Sequence, residues 1–257
     1  MGRRRLALLL EYDGTAFAGS QLQAAVRTVQ EVVEGALGQF SGRQTRIALA
    51  GRTDTGVHAL GQVAAFDIDT AHATDVVRDA LNHFLPEDVA VRAVAEVADG
   101  FDPRRQAVAR TYRYRIEDGR VRAPLTRHRA WQVERPLDGS AMAEACALLP
   151  VGVTRDWAAF SGAVPAGYPT RRTLLDARVE RCAPQAVQVT LEADGFLPHQ
   201  VRLMVGALQR VGAGRLGPAE FAALVDGPPA SAGPAAPPQG LTLVAVRYPP
   251  GTIEWGN

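Results

Sequence analysis

The chain of 257 residues contains no lysine, only two cysteines and 6% aromatic residues. Cys146 and Cys182 lie far apart and outside any Cys-x-x-Cys pair, which argues against a disulfide scaffold or a structural zinc site. The five histidines show no paired metal-binding spacing, so no metal site is predicted. No apolar run reaches membrane-spanning length, and the N-terminal apolar run is too short for a signal peptide. We therefore expect a cytoplasmic protein with no membrane partner.

The composition is that of a protein that buries a core, with 47% apolar and 21% charged residues. Bulk disorder is excluded. The 28 basic and 27 acidic residues nearly cancel, so net charge does not indicate a partner. Their distribution is uneven, because residues 101–130 hold nine arginines against three acids. The nine are Arg104, Arg105, Arg110, Arg113, Arg115, Arg120, Arg122, Arg127 and Arg129.

This basic strip, residues 101–130, has two interpretations. A localised cluster of arginines is typical of a polyanion-binding surface. A solvated face in a protein that uses arginine in place of lysine gives the same pattern, and composition does not separate the two.

The order of predicted elements indicates an α+β protein. Thr28 and Glu31 form a capping-box pattern at the start of an amphipathic helix. Further helices are predicted near 73–83, at 138–148 and at 199–212, and strands at 5–10, 46–50, 61–68, 88–96, 107–116, 172–182, 186–194 and 241–247. The order strand, helix, strand, strand, helix, strand in the first part is typical of a split βαβ arrangement with a mainly antiparallel sheet.

The predicted domains are 1–104 and 105–257, two α+β halves that meet at a cleft. The stretch 97–106 is loop-like, and the second set of elements begins after it. Residues 227–239, rich in proline, glycine and alanine, predict a long irregular segment, which is usually functional or flexible inside a compact domain.

The most unusual segment is residues 51–59, Gly-Arg-Thr-Asp-Thr-Gly-Val-His-Ala, between two predicted strands. Its two glycines permit a tight loop that presents Asp54 at a surface, as in a catalytic site. An ordinary turn in which Asp54 bonds its own backbone fits equally well. Asp54-Thr55-Gly56 also spells an aspartic-protease motif, but that chemistry needs two carboxylates, and no second such motif occurs in this chain.

Two further segments carry candidate binding residues. Strand alternation places Tyr112 and Tyr114 on one face and the neighbouring arginines on the other. The rings either stack on bases or belong to the core. On the helix at 199–212, Arg202 lies beside the small residue Gly206 and either reaches into a site or extends to solvent.

In this order, the segments resemble the tRNA pseudouridine synthase A family. The resemblance rests on residues 12–14, 29–31, 51–59, 81–82, 85–86, 112–114, 201–202, 205–206 and 240–241, of which 51–59 is highly specific. One departure is Ser20, which stands where the family commonly has tryptophan. This puts a packing or stacking role at that position in doubt.

The resemblance implies two ferredoxin-like domains that meet at a basic catalytic cleft, working as a homodimer, with no other protein partner. It implies isomerisation of uridine to pseudouridine at positions 38, 39 and 40 in the anticodon stem-loop of tRNA. Asp54 is then the catalytic aspartate, Arg52 and Arg202 are charged neighbours that bind the substrate, and Tyr112 packs against the target base. No cofactor is expected, since the reaction oxidises nothing and loses no group.

Two alternatives stay open on the sequence. One is a non-catalytic RNA-binding protein of the same fold, which would keep the arginines and Tyr112 without needing an intact loop around Asp54. The other is a pseudouridine synthase that acts on a different RNA site, because no single residue reports the position modified.

Overall fold

A computed structural model describes residues 2–256 and shows an α+β protein, as predicted. The strands are β1 (Arg3–Tyr12), β2 (Ala48–Leu49), β3 (His58–Asp69), β4 (Val89–Val97), β5 (Ala109–Asp118), β6 (Trp131–Val133), β7 (Thr154–Asp156), β8 (Arg171–Ala183), β9 (Ala186–Ala193) and β10 (Leu241–Arg247). The helices are α1 (Val29–Ser41), α2 (Thr74–Phe84), α3 (Gly139–Ala147), α4 (Gln200–Gly212) and α5 (Pro218–Ala223). Short 3-10 turns lie at Gly14–Ala16, Ala158–Phe160, Leu224–Asp226 and Pro238–Gly240.

The chain forms two compact units, one of residues 1–108 with 243–257 and one of residues 109–242. This differs from the predicted division at 104/105, which placed the C-terminal residues in the second domain. The physical reason is β10, which lies beside β3, so the end of the chain completes the sheet of the first unit.

The first unit follows the predicted order of elements. Its strands run β4-β1-β3-β10, with β2 paired to β3, and β1 is antiparallel to both of its neighbours. The predicted capping box is present, because Thr28 Oγ1 accepts from the Glu31 N–H while Glu31 accepts from the Thr28 N–H. Helices α1 and α2 contact each other, and α2 packs on β4. Leu6, Leu8 and Leu10 of β1 are fully buried.

A second small core in this unit contains Ala7, Ala65, Val97 and Phe101. Tyr248, Ile253 and Trp255 pack against it, with the Tyr248 ring 5.3 Å from that of Phe101. The C-terminal residues therefore supply part of the first unit's interior.

The second unit contains strands in the order β5-β9-β8-β7, with β6 added parallel to β5. Helix α3 packs on β8 and contacts α4 and α5. Val201, Val205 and Leu208 of α4 are buried, as predicted. The sequence did not predict β6, β7 or α5, each of six residues or fewer.

Candidate functional site

The loop 51–57 joins β2 to β3 and presents Asp54 half-buried and Arg52 exposed. The Val57 N–H donates to the Asp54 backbone oxygen at 3.1 Å, which closes a turn. Gly56 has φ +77°, in the left-handed region that favours glycine, whereas Gly51 does not lie in that region. Only the second of the two bracketing glycines is therefore required by its backbone conformation.

Thr53, immediately before Asp54, makes three hydrogen bonds. Its N–H donates to Ser20 Oγ at 2.8 Å, and its carbonyl accepts from the Ser20 N–H at 3.1 Å. Its hydroxyl bonds the Tyr12 hydroxyl at 2.8 Å. All three residues are buried. Ser20, at the position where the resemblance implies tryptophan, thus holds the loop that carries Asp54, and we call this set of hydrogen bonds the clamp.

The chain approaches this loop closely at two glycines. A Cβ on Gly14 would lie 2.0 Å from the Val57 oxygen, and one on Gly19, whose φ is +100°, would lie 2.8 Å from the Thr53 oxygen. The Gly14 N–H donates to His58 Nδ1 at 3.1 Å. These contacts fix the loop to the segment after β1.

Burial raises the pKa of the Tyr12 phenol, and its hydrogen bond to Thr53 offsets only part of that rise. Tyr12 therefore stays neutral near pH 7 and acts as a hydrogen-bond partner for Thr53. We assign it a supporting role in the loop and no role as a base.

Replacing Ser20 with alanine leaves the Thr53 N–H buried without its acceptor. We expect a loss of about 1–3 kcal/mol in the free energy of unfolding, the usual cost of such an orphaned group. Chemical unfolding of both proteins measures it. Ser140→Ala is the control because Ser140 is exposed on α3. Equal stability of Ser20→Ala and the unmutated protein would contradict the clamp.

The two tyrosines of β5 have different environments. Tyr114 is fully buried, and its hydroxyl donates to the Pro237 oxygen at 2.7 Å. Burial raises its pKa, although the positive charge of Arg202 acts in the opposite direction. Tyr112 is half-buried, with its ring edge-on to Phe196 at 5.3 Å. Tyr114 is therefore a core residue, and Tyr112 has a partly accessible ring.

Arg202 is held by the irregular segment 227–239. Its Nε donates to the Ala236 oxygen at 2.8 Å, and its backbone oxygen accepts from the Ala236 N–H at 2.9 Å. A Cβ on Gly206, one turn further along α4, would lie 2.2 Å from the Pro234 oxygen. The missing side chain of Gly206 lets the segment lie against the helix, and the segment in turn fixes Arg202.

The segment 227–239 is also bonded elsewhere in its unit. The Ala230 and Ala232 N–H groups donate to the Ala158 and Ala159 oxygens at 2.9 and 3.1 Å. The sequence predicted an irregular segment here but not the residues to which it bonds. Its one indication of the contact with α4 was the small residue Gly206 near Arg202.

The basic strip 101–130 is not one uniform face. Arg113 is exposed, whereas Arg115 lies 3.0 Å from Glu117, and Arg110 donates to the Asp194 oxygen at 2.7 Å. Two arginines of the strip therefore interact with other groups of the protein itself.

The four predicted site residues are divided between the units. Arg52 and Asp54 share the loop 51–57 of the first unit, and Tyr112 and Arg202 belong to the second.

Residues 2–256 contain no group of three or more His, Cys, Asp or Glu side chains that could hold a metal ion. Both cysteines are free, and burial raises the pKa of the Cys146 thiol to about 12, so it is a poor nucleophile. Over the same residues, no helix is both long and apolar enough to cross a bilayer.

Comparison with known proteins identifies the relatives of this chain. A family model described as tRNA pseudouridine synthase matches residues 9–104 and 152–249, which include Arg52, Asp54 and Arg202 but not Tyr112. The tRNA pseudouridine synthase A of Chloroflexus aurantiacus is 44% identical over 98% of this chain and 91% of its own length. The proteins of the same name are 44% identical in Geobacter sulfurreducens, over 95% of this chain and 100% of theirs, and 45% identical in Methylobacterium nodulans, over 97% and 98%. The chain belongs to the tRNA pseudouridine synthase A family.

Proposed function

We propose that this protein isomerises uridine to pseudouridine at positions 38, 39 and 40 in the anticodon stem-loop of tRNA, with Asp54 as the catalytic carboxylate. The observation that carries the assignment is the clamped loop 51–57, which fixes Thr53 by three hydrogen bonds and leaves the adjacent Asp54 half-buried. An immobilised backbone beside an accessible acid is the arrangement that a positioned catalytic group requires.

The proposed reaction conserves every atom of the uridine. The bond between N1 and C1′ breaks, a bond between C5 and C1′ forms, C5 loses a proton and N1 gains one. Nothing is oxidised or reduced, so one carboxylate, acting as a nucleophile or a base, suffices and no cofactor is needed. The uracil must leave its stack to reach Asp54, which requires protein groups that hold an extruded base.

Three side chains are proposed to bind the substrate. Tyr112 has a partly accessible ring for contact with the target base. Arg202 is pre-positioned by its bond to Ala236, and Arg52 is exposed two residues before Asp54. Guanidinium groups suit RNA because they pair with phosphates and stack on bases.

Substitutions of Tyr112 separate two roles. If the ring only packs against the base, Tyr112→Phe keeps most of the turnover, and Tyr112→Ala loses it. We expect this result, because the ring of phenylalanine preserves the edge contact with Phe196. The measurement is the rate of pseudouridine formation under saturating tRNA. Failure of Tyr112→Phe would instead indicate proton transfer by the hydroxyl, and normal rates in both variants would remove Tyr112 from the site.

The function is tested with tRNA transcripts carrying tritium at C5 of uridine. Isomerisation releases the label, and mapping of the product identifies the modified positions. Release with pseudouridine at positions 38–40 supports the proposal. Release from another position would favour the second alternative, and binding of tRNA without release would favour a non-catalytic RNA-binding protein.

We also propose that each unit is a ferredoxin-like domain and that two copies form a homodimer acting in the cytoplasm. The strand order β4-β1-β3 with β2 beside β3 supports the first point for residues 1–108. The family resemblance supports the others. Sedimentation of the purified protein tests the oligomeric state.

A further inference from the structure

The second unit contains a cavity of about 740 Å³ outside the residues assigned above. Its walls come from the end of β5, the loop 119–130, β6 and the start of the 3-10 turn at Pro238–Gly240. Its volume falls within the range of small-molecule sites. Glu117, which lines it, is five residues beyond Tyr112 on β5, about 16 Å along the strand.

The charge of the loop 119–130 is entirely positive. It contains four arginines and no acidic residue, and Arg122 and Arg127 line the cavity. The acid in the cavity wall, Glu117, is compensated, because it accepts from Arg115 at 3.0 Å and from the Thr126 hydroxyl at 2.6 Å. The cavity therefore favours an anionic ligand.

The remaining wall offers an aromatic ring and amide groups. Trp131 is half-buried, with its ring edge-on to Tyr114 at 6.4 Å, and Gln132 and Gln239 line the same cavity. Gln132 Nε2 donates to the Gly119 oxygen at 2.9 Å, which fixes the orientation of that amide. An aromatic ring, side-chain amides and arginines together form the chemistry that recognises an unstacked nucleotide.

We propose that this cavity binds an unstacked nucleotide of the tRNA substrate, separate from the uridine that contacts Tyr112. The proposal rests on the proposed function for its choice of RNA. Arg122 and Arg127 pair with the phosphates, and Trp131 packs against the base.

A second copy of the chain is the competing occupant, because Leu125 and Val121 on the loop are 98% and 75% exposed. A two-fold interface whose axis passes through this loop would bring the arginines of both copies together, and such like-charge contact is unfavourable. The charge of the loop therefore favours RNA.

The test compares two charge reversals within one loop. Arg122→Glu and Arg120→Glu change the net charge equally, but only Arg122 lines the cavity. We expect Arg122→Glu to weaken binding of a tRNA transcript by about tenfold and Arg120→Glu by no more than about threefold. Binding is measured in Asp54→Asn protein, so no turnover occurs. Equal losses would indicate general electrostatic attraction and overturn the cavity site.

Substitution of Trp131 tests the aromatic contact. Trp131→Phe keeps a ring and is expected to retain most of the affinity, whereas Trp131→Leu keeps the apolar packing and loses about tenfold. Quenching of tryptophan fluorescence on tRNA binding is compared in proteins that all carry Trp255→Phe, because Trp255 is half-buried whereas Trp157 is fully buried. In that background the quenching should be largely lost in Trp131→Phe. Unchanged affinity in Trp131→Leu, or unchanged quenching in Trp131→Phe, would overturn the proposal.

Two controls separate the remaining outcomes. If Arg122→Glu or Leu125→Ser shifts the sedimenting species to a smaller one, the loop is a subunit interface and the proposal is wrong. Release of tritium by the protein with Asp54 intact tests the proposed function independently. An equal effect of Arg120→Glu and Arg122→Glu in an active enzyme would defeat the cavity site alone.

Discussion

Replacing Asp54 with asparagine is expected to reduce pseudouridine formation below detection while tRNA binding persists. Asparagine preserves the shape of the side chain but removes its charge and its ability to act as a nucleophile or base. Binding persists because contacts with phosphates carry most of the affinity. Stability should change little, because the structure leaves Asp54 half-buried. Tritium release and a tRNA-binding assay on the same preparation give both results.

The substitution Asp54→Glu tests whether catalysis depends on the position of the carboxylate as well as on its charge. The added methylene keeps the carboxylate but displaces it by about 1 Å, a misplacement that can cost about 100-fold in rate. Asp99→Asn is the matched control, since Asp99 is an exposed acid of the same unit. Substantial tritium release by a folded Asp54→Asn protein would defeat the catalytic assignment. Unfolding of that variant would instead support the alternative that Asp54 serves only to form an ordinary turn.

Gly206→Ala is expected to destabilise the protein by about 1–3 kcal/mol, the range for an overpacked site. The new methyl group would lie 2.2 Å from the Pro234 oxygen, a backbone atom that moves only with its segment. Displacing that segment also breaks the bond from Arg202 to Ala236, so the catalytic rate should fall further than the loss of stability explains. Thermal unfolding and turnover at a temperature where the variant stays folded measure the two effects.

The same substitution at Gly35 provides the control. Gly35 lies within α1, where an added Cβ meets nothing within 4 Å. Alanine there should stabilise the protein by up to about 1 kcal/mol, the difference in helix propensity. Stabilisation by Gly206→Ala as well would show that the segment 227–239 yields easily and does not hold Arg202.

The sequence predicted those elements that are determined by residues close together in the chain. The capping box at Thr28 and the buried apolar positions of α4 were both visible in the sequence and are confirmed. Strands β6 and β7 have three residues each, too few for a recognisable alternation, and they form only because a neighbouring strand pairs with them. Their prediction would require knowledge of the tertiary structure.

In the candidate site, too, the sequence did not predict features that depend on tertiary contacts. Alternation put Tyr112 and Tyr114 on one face, but only packing distinguishes the half-buried ring from the fully buried one. The hydrogen bonds between Ser20 and Thr53 join residues 33 positions apart, a distance in sequence at which periodicity carries no information. The sequence therefore identified the loop of Asp54 but not the contacts that hold it.

The return of residues 243–257 to the first unit has a consequence for biosynthesis. Residues 109–242 form a continuous unit that is synthesised before residues 243–257, whereas the first unit awaits the rest of β10 together with Tyr248 and Trp255. The domain made first is therefore finished last, contrary to the usual N-terminal-first order. The nascent chain consequently carries the loop of Asp54 on an incomplete sheet until β10 has been synthesised, and premature termination upstream of β10 should yield a product that chaperones or proteases recognise.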